Sequence, residues 1–204
     1  IDTSDVTGSE TADLRVDNGV MVPVVVGASQ SIQLTGLSVT LVDPTEKVLT
    51  IMLTGVPAGF LVYTGSSMAD AALSSQASNA GGASDSNTWI ISATGALPAY
   101  VGILPPPHWS GTLDGLQLIV ASGENALKDK LYETSEPFTL TVTPKNDGLV
   151  INPSRSFGKE GTAVTLNLNA GMVDDKAASA GKADASIETT SLIISGLGEY
   201  AAFT

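Results

Sequence analysis

The residues of this sequence best suited to chemistry are carboxylates that lie in turns. Asp2, Asp5 and Glu10 lie within one turn-rich segment, DTSDVTGSE. Calcium takes about six to eight hard oxygen ligands, which short loops of Asp, Glu, Asn and backbone carbonyls supply with little strain. The spacing therefore predicts that these three side chains can share one calcium ion. The alternative interpretation is a solvated acidic loop.

A second acidic group begins in the sequence Pro-Lys-Asn-Asp-Gly at residues 144–148, which is typical of a linker between modules. Asp147 lies in this linker, Glu160 follows it, and Asp174 and Asp175 follow the next apolar alternation. A calcium ion bound by these residues would lock one module against the next. Asn-Asp-Gly is also an ordinary turn sequence that needs no metal, and no segment has the spacing of an EF-hand loop.

Residues that act in hydrolysis are present, but not in the patterns that catalysis requires. His108 is the only histidine, and it lies in Pro-Pro-Pro-His-Trp with no nucleophile-elbow pattern nearby. Glu133 and Glu136 flank Ser135, but nothing in the sequence places the two carboxylates across a cleft. We therefore expect no enzymatic activity.

Charge and composition exclude several classes of partner. The chain has 204 residues and a formal net charge of −12, so phosphate backbones and anionic membrane surfaces repel it. No apolar run reaches the roughly 18 residues of a membrane span, and we expect neither nucleic-acid binding nor membrane insertion. The absence of cysteine excludes disulfides and thiolate metal sites. Cations are the natural partners, although such acidity can also serve solubility alone.

Short strands separated by turns must position these side chains. The stretch from Ser66 to Asn87 is rich in Ser, Ala and Gly, which predicts a surface loop with one helical turn around residues 69–73. Short strands that follow one another at turn-separated intervals, without an amphipathic helix between them, predict a β-sandwich. The predicted strands are residues 14–26, a start at Ile32, residues 37–41, 48–53, 60–63, 89–91, 101–104, 116–120 and 138–142.

The length of the chain and an internal echo favour two modules. Residues 170–174 line up with residues 39–43, and residues 192–197 line up with residues 51–56. Residues 27–147 are the predicted complete module. Its predicted core residues, on strands that face one another across two sheets, are Trp89, Trp109, Leu118, Val120 and Leu140.

Residues 148–204 form a predicted partial second module, with apolar alternation at Val164, Leu166 and Leu168. Two or three strands cannot bury a sandwich core unaided. Either residues 1–26, an acidic loop and a strand, fold back to complete this module as a split domain, or a neighbouring module is absent. Nothing at the start resembles a signal peptide, and we expect Ile1 to be a cut inside a longer chain.

The order of several short motifs resembles the calcium-dependent, immunoglobulin-like or cadherin-like repeat modules of large type I-secreted bacterial adhesins, the RTX and Bap-like proteins. The resemblance covers most of the chain. The motifs that carry it are Gly-Lys-Glu-Gly-Thr at 158–162, Gly-Val-Pro-Ala-Gly at 55–59, the strand at Trp89, Pro-Pro-Pro-His-Trp-Ser-Gly at 105–111 and Pro-Lys-Asn-Asp at 144–147.

The resemblance implies an all-β fold of tandem or split immunoglobulin-like antiparallel β-sandwich modules with calcium in their acidic turns. It adds Glu188 to the turn that begins at Asp174, and it adds Asp43 and Glu46, although this turn lacks the glycine and further aspartates of the family. The full set of candidate calcium ligands is Asp2, Asp5, Glu10, Asp43, Glu46, Asp147, Glu160, Asp174, Asp175 and Glu188.

The function that the resemblance implies is a non-catalytic, calcium-stabilised structural or extender module of a surface adhesin that acts in cell adhesion and biofilms. Such a module is secreted to the cell surface, and its partners are neighbouring modules of the same chain. The alternative from a different class is a module that binds a glycan or a peptide through its long loops.

Overall fold

The computed structural model describes residues 1–11, 14–17, 20–78, 84–124, 130–145, 149–172 and 191–196. These residues form an all-β structure whose helices are single 3-10 turns, Ala28–Gln30 and Met68–Asp70. None of the helices in these ranges is long and apolar enough to cross a membrane. The chain divides into two compact units: residues 1–13 with 25–145, the central unit, and residues 14–24 with 146–204, the distal unit.

The strands are short, as the turn-rich composition predicts. In chain order they are β1 (Val6–Ser9), β2 (Leu14–Asp17), β3 (Val20–Pro23), β4 (Ile32–Gln33), β5 (Lys47–Thr54), β6 (Leu61–Gly65), β7 (Ala72–Leu73), β8 (Gln76–Ser78), β9 (Ser84–Ser92), β10 (Tyr100–Leu104), β11 (Gly111–Gly123), β12 (Leu131–Thr134), β13 (Phe138–Thr143), β14 (Leu149–Ile151) and β15 (Ala170–Met172).

Two sheets build the central unit. The larger has the order β1-β13-β11-β5-β9-β8, and the smaller has the order β4-β10-β6-β7. The 13-residue strand β11 pairs with β13 along its first half and with β12 along its second half. Every pairing in these sheets is antiparallel except that of β1 with β13, which is parallel. The larger sheet is therefore mixed, whereas the sequence predicted antiparallel sheets alone.

The hydrophobic core lies between the inner faces of the two sheets. Strand β13 shows the expected alternation, because Phe138, Leu140 and Val142 are buried while their neighbours are not. Both sheets contribute fully buried side chains, an arrangement consistent with the predicted β-sandwich. These include Ile51, Leu53, Leu116, Leu118 and Leu140 from the larger sheet, and Val62 and Ile103 from the smaller one.

Two of the motifs that carry the resemblance pack against each other. Gly55 has a φ of +85°, and a Cβ there would lie 2.5 Å from the carbonyl oxygen of Gly115, so the turn after β5 requires glycine. Phe60 follows this turn, and its ring meets that of Trp109 edge-on, with centroids 4.9 Å apart. The turn and the proline-rich segment therefore anchor an aromatic pair at the core.

The predicted core residues are buried, but their arrangement differs from the prediction. Trp89, Leu118, Val120 and Leu140 are all buried, and Trp109 is partly buried against the core. The first four belong to β9, β11 and β13, which are strands of one sheet. They therefore pack side by side, and the layer that faces them comes from β6 and β10.

The predicted strand at residues 37–41 is wrong. Ser38 makes only an isolated bridge with Asp2, and the flanking residues form no ladder. Leu37 and Val39 nevertheless pack against the core. The apolar alternation thus reflects burial of one face of a loop, without strand pairing.

The predicted surface loop at residues 66–87 contains strands, although the helical turn predicted around residues 69–73 has a counterpart in the exposed 3-10 turn Met68–Asp70. Asp70 accepts hydrogen bonds from the backbone and hydroxyls of Ser66 and Ser67, which closes a tight turn. Strand β7 then forms an edge of the smaller sheet, and β8 forms an edge of the larger one. Both edge strands lack apolar alternation, and Leu73 of β7 is itself exposed.

The distal unit also departs from the strands predicted for it. Residues 14–26 are not one strand, because β2 and β3 form an antiparallel hairpin. Residues 163–169 form no strand, and Val164 and Leu166 are exposed. β14 pairs with β15, but residues 191–196, the echo of β5, are not in a strand.

Residues 1–26, predicted to act as one segment, are divided between the two units. β1 belongs to the central unit, since it is paired with β13, while residues 14–24 group with residues 146–204. Among the described residues, β2 and β3 pair only with each other. A ladder between residues 14–26 and the C-terminal half stays a prediction.

Truncation of Trp89 tests the assignment of the core. Trp89→Ala should lower the free energy of unfolding by about 3–5 kcal/mol, because it leaves a cavity between the sheets. Val42→Ala is the matched control, since Val42 is fully exposed and should change stability by less than about 0.5 kcal/mol. Chemical denaturation followed by circular dichroism measures both, and equal effects would contradict the assignment.

Candidate acidic sites

The N-terminal carboxylates hold β1 against β13. Asp5 Oδ1 accepts a hydrogen bond from the N–H of Thr139 at 2.8 Å, and Glu10 Oε1 accepts one from the N–H of Lys145 at 2.7 Å. The Glu10 N–H donates in turn to the carbonyl oxygen of Thr143 at 3.0 Å. The two carboxylates therefore close the two ends of the parallel ladder.

Asp2 fixes the segment before β1 to a different part of the fold. Its backbone exchanges two 3.0 Å hydrogen bonds with Ser38, and its Oδ2 accepts a bond from the Ser38 hydroxyl at 2.8 Å. Ser4 adds a fourth hydrogen bond, because its hydroxyl donates to the carbonyl oxygen of Thr35 at 2.8 Å. The start of the chain is thus bound to the loop between the two sheets.

The structure does not bring Asp2, Asp5 and Glu10 together. Asp5 and Glu10 lie at opposite ends of β1, and the usual rise of a strand places their Cα atoms about 16 Å apart. The described residues contain no group of three or more acidic or histidine side chains that could hold a metal ion. Calcium at any one of these residues therefore stays a prediction that needs further ligands.

Asp43 and Glu46 line one cleft of about 590 Å³ together with Glu133, although these three carboxylates do not form a group that could hold a metal ion. One wall is the loop of residues 40–46, and the other is formed by Ser122 of β11 with Leu131 and Glu133 of β12. Ser122 donates its hydroxyl to Glu46 Oε2 at 3.0 Å. We call this site the acidic cleft.

Thr45 organises the rim of the acidic cleft. Its N–H and its hydroxyl both donate to Asp43 Oδ1, at 2.8 Å and 2.7 Å, and the hydroxyl also lies 3.1 Å from Glu124 Oε1. The backbone N–H bond first, and then the hydroxyl bond, hold the pKa of Asp43 below its ordinary value. Asp43 therefore carries its negative charge throughout the physiological range.

The lining of the acidic cleft is also partly apolar. Leu131 is 53% exposed, and the neighbouring Tyr132 on β12 is 57% exposed. Val42 and Pro44 on the opposite loop are exposed as well. Charged and apolar surfaces therefore lie side by side at this end of the central unit.

The remaining candidate ligands are only partly described. Glu160 is exposed in a turn that the Thr162 N–H closes by donating to the carbonyl oxygen of Lys159 at 3.2 Å. The other candidates lie outside the described residues, and their role as calcium ligands stays a prediction. They are Asp147, Asp174, Asp175 and Glu188.

Ser135, the serine weighed for hydrolysis, has structural partners. Ser135 is buried, and its hydroxyl donates to the carbonyl oxygen of Glu136 at 2.8 Å and accepts from the Leu118 N–H at 3.0 Å. The bond with Leu118 holds the segment between β12 and β13 against β11. His108 is buried with a φ of +60°, and its backbone N–H donates to the carbonyl oxygen of Thr11 at 2.7 Å.

Sequence reasoning missed Thr45, Ser122 and Glu124 as parts of the acidic cleft. The Asp43-Pro44-Thr45 spacing carries a local signal, because an Asp side chain readily accepts a bond from the backbone two residues on. Ser122 and Glu124 carry no such signal, since they reach the cleft only through the pairing of β11 with β5 and β12. No family model, curated protein or solved structure matches this chain.

Removal of the two carboxylates that close the β1 ladder should destabilise the protein whether or not calcium is present. Glu10→Ala should cost about 1–3 kcal/mol and Asp5→Ala about 0.5–1.5 kcal/mol, because each leaves a backbone N–H without its acceptor. Asp114→Ala is the control, since Asp114 is exposed. The measurement is urea denaturation in calcium and in EDTA. Losses that vanish in EDTA would instead identify these residues as calcium ligands.

The charge of Asp43 should depend on Thr45. Thr45→Ala removes the hydroxyl bond and should raise the pKa of Asp43 toward its ordinary value, while the retained N–H keeps part of the depression. The hydrogen bonds from Thr45 to ionised Asp43 stabilise the folded state. Because they lower the folded-state pKa, this stabilisation is complete above the ordinary aspartate pKa and is lost as pH falls through the lowered value. Carboxyl NMR titration measures this, with Thr40→Ala as the control. An unchanged pKa would contradict the assignment.

Proposed function

We propose that this chain is a non-catalytic, calcium-stabilised structural module of a large bacterial surface adhesin, with immunoglobulin-like sandwich units that extend the protein from the cell. The observation that carries the proposal is the parallel pairing of β1 with β13, the first and last strands of the central unit. The all-β architecture and the two-sheet core support it.

Parallel pairing of the first and last strands suits a module that bears tension. The chain enters β1 at Val6, whose partner is Leu140, and it leaves β13 at Thr143, whose partner is Ser9. Tension applied at Ile1 and at Lys145 therefore pulls the two strands in opposite directions along their length. The hydrogen bonds of the ladder then resist together, instead of breaking one at a time.

Calcium in this proposal acts on the acidic turns of the distal unit. The net charge of −12 favours cations over anionic partners, and the resemblance assigns Asp174, Asp175 and Glu188 to one such turn. An ion that binds the folded state alone stabilises it. A chain with few ions in the calcium-poor cytoplasm would stay pliable for secretion and would stiffen outside the cell.

Single-molecule pulling tests the mechanical part. The chain contains no cysteine, so cysteine pairs can be introduced as handles at chosen positions. Handles at residues 1 and 145 load the β1–β13 ladder in shear. Handles at residues 1 and 136 instead pull both strands apart from one end of the ladder, where Thr3 contacts the Glu136 carbonyl oxygen. The first pair should give the higher unfolding force because the bonds share the load. Equal forces would contradict a tension-bearing role.

Thermal unfolding tests the calcium part. Calcium at about one hundred times its dissociation constant should add about 2.7 kcal/mol to stability, and EDTA should remove it. The double variant Asp174→Asn and Asp175→Asn should lose most of this response, while Asp114→Asn should retain it. Magnesium in place of calcium is the ion control. A melting temperature that EDTA does not change would refute calcium stabilisation.

A further inference from the structure

Strand β12 has an open edge. It pairs with β11 through the register Ile119 to Thr134 and Ser122 to Leu131, and no strand among the described residues pairs with its other side. All four of its residues are exposed. An unpaired edge of this kind presents N–H and C=O groups that an extended segment can use as a template.

The register determines which backbone groups face the open side. The Ser135 N–H donates to the carbonyl oxygen of Leu118 at 2.9 Å, and bonded pairs alternate with non-bonded pairs in an antiparallel ladder. Leu131 and Glu133 therefore direct their backbone groups to β11. Tyr132 and Thr134 direct theirs to the open side.

The side chains at this edge lead into the acidic cleft. Leu131 and Glu133 both line it, and they share a face of the sheet with their partners Ser122 and Val120. A strand added beside β12 would therefore direct alternate side chains toward the same cleft. The exposed Leu131 and Val42 would contact the apolar parts of those side chains.

Charge decides what kind of segment fits. Negative charge exceeds positive charge at the cleft. Four carboxylates line it or lie at its rim: Asp43, Glu46, Glu124 and Glu133. Two lysines, Lys47 and Lys130, lie at the nearby strand ends. A second copy of this chain, itself at −12, would bring Glu133 and its neighbours against like charges. Lysine or arginine at alternate positions instead pairs with these carboxylates while its aliphatic stem covers Leu131.

We infer that the β12 edge and the acidic cleft together bind an extended, lysine- or arginine-rich peptide segment by strand addition. The peptide backbone pairs with Tyr132 and Thr134, and its basic side chains enter the cleft. This inference does not depend on calcium, since it uses neither the distal unit nor any metal. Strand addition and the calcium-stabilised function can therefore fail separately.

A short capped peptide in which lysine alternates with valine is the probe, labelled for fluorescence anisotropy and used with the full chain in EDTA. We expect saturable binding that weakens as salt is raised, because exposed charges are screened. Glu133→Gln should weaken binding by about two- to fivefold, the usual scale of an exposed ion pair. Asp114→Asn, which removes a charge at the other end of β11, should leave binding unchanged.

Amide hydrogen exchange, observed by NMR, separates strand addition from simple charge attraction. The peptide should protect the amides of Tyr132 and Thr134, and Thr134→Pro should weaken binding because proline removes an outward donor at an edge position that tolerates it. The same peptide with its backbone N-methylated at alternate residues should not bind. If Thr134→Pro fails to fold, the N-methylated peptide and the exchange pattern of the wild-type protein still distinguish strand addition from charge attraction.

Several outcomes would overturn the inference. One is that a peptide with glutamate in place of lysine binds as tightly as the lysine peptide. Another is that the lysine peptide binds without protecting the amides of Tyr132 and Thr134. A third is that it shows no saturable binding at low salt. Protection of the same amides by self-association, or by a neutral oligosaccharide in place of the peptide, would assign the edge to a different partner and would also overturn it.

Discussion

The central unit depends on the attachment of β1 to β13. Without β1, the outer side of β13 would be an open edge, and Val6 would no longer cover the core that it joins. The attachment is only four residues long, so its ends matter as much as its ladder. Asp5 and Glu10 close these ends by accepting the N–H groups of Thr139 and Lys145, and Asp2 binds the preceding segment to Ser38. The acidic N-terminus is therefore a structural part of the sandwich.

The acidic cleft follows from a mismatch between the two sheets. The hairpin of β11 and β12 belongs to a larger sheet whose longest strand has 13 residues, while β10 and β6, the two central strands of the smaller sheet, have five residues each. Among the described residues, the loop of residues 40–46 faces Leu131 and Glu133 across the cleft at the end of this hairpin. A loop cannot bury Leu131 and Glu133 as a strand would, and the two side chains remain exposed. β12 keeps an open edge for a different reason, because β1 pairs only with residues 140–143 of β13 and the segment before β1 is bound to Ser38.

The sequence predicted the central strands well because their patterns are local. β5, β10 and β13 have β-branched or alternating apolar residues, which suffice to identify a buried strand. The edges could not be predicted in this way. Apart from Leu73, the residues of β7 and β8 are small or polar, and they pair at the edges that β6 and β9 present to them. The reverse error occurred at Leu37 and Val39, where apolar alternation marks contact with the core and no partner strand lies alongside.

The candidate site shows the same limit. The acidic residues were recognisable, but the partners of Asp5 and Glu10 lie about 135 residues away in the chain, and no local pattern indicates them. A carboxylate in a turn can be satisfied by a cation or by backbone N–H groups, and these two uses compete for the same oxygens. In the central unit the backbone takes this role at Asp5, Glu10 and Asp43. The proposed calcium therefore depends chiefly on the acidic residues that follow the linker, beginning with Glu160.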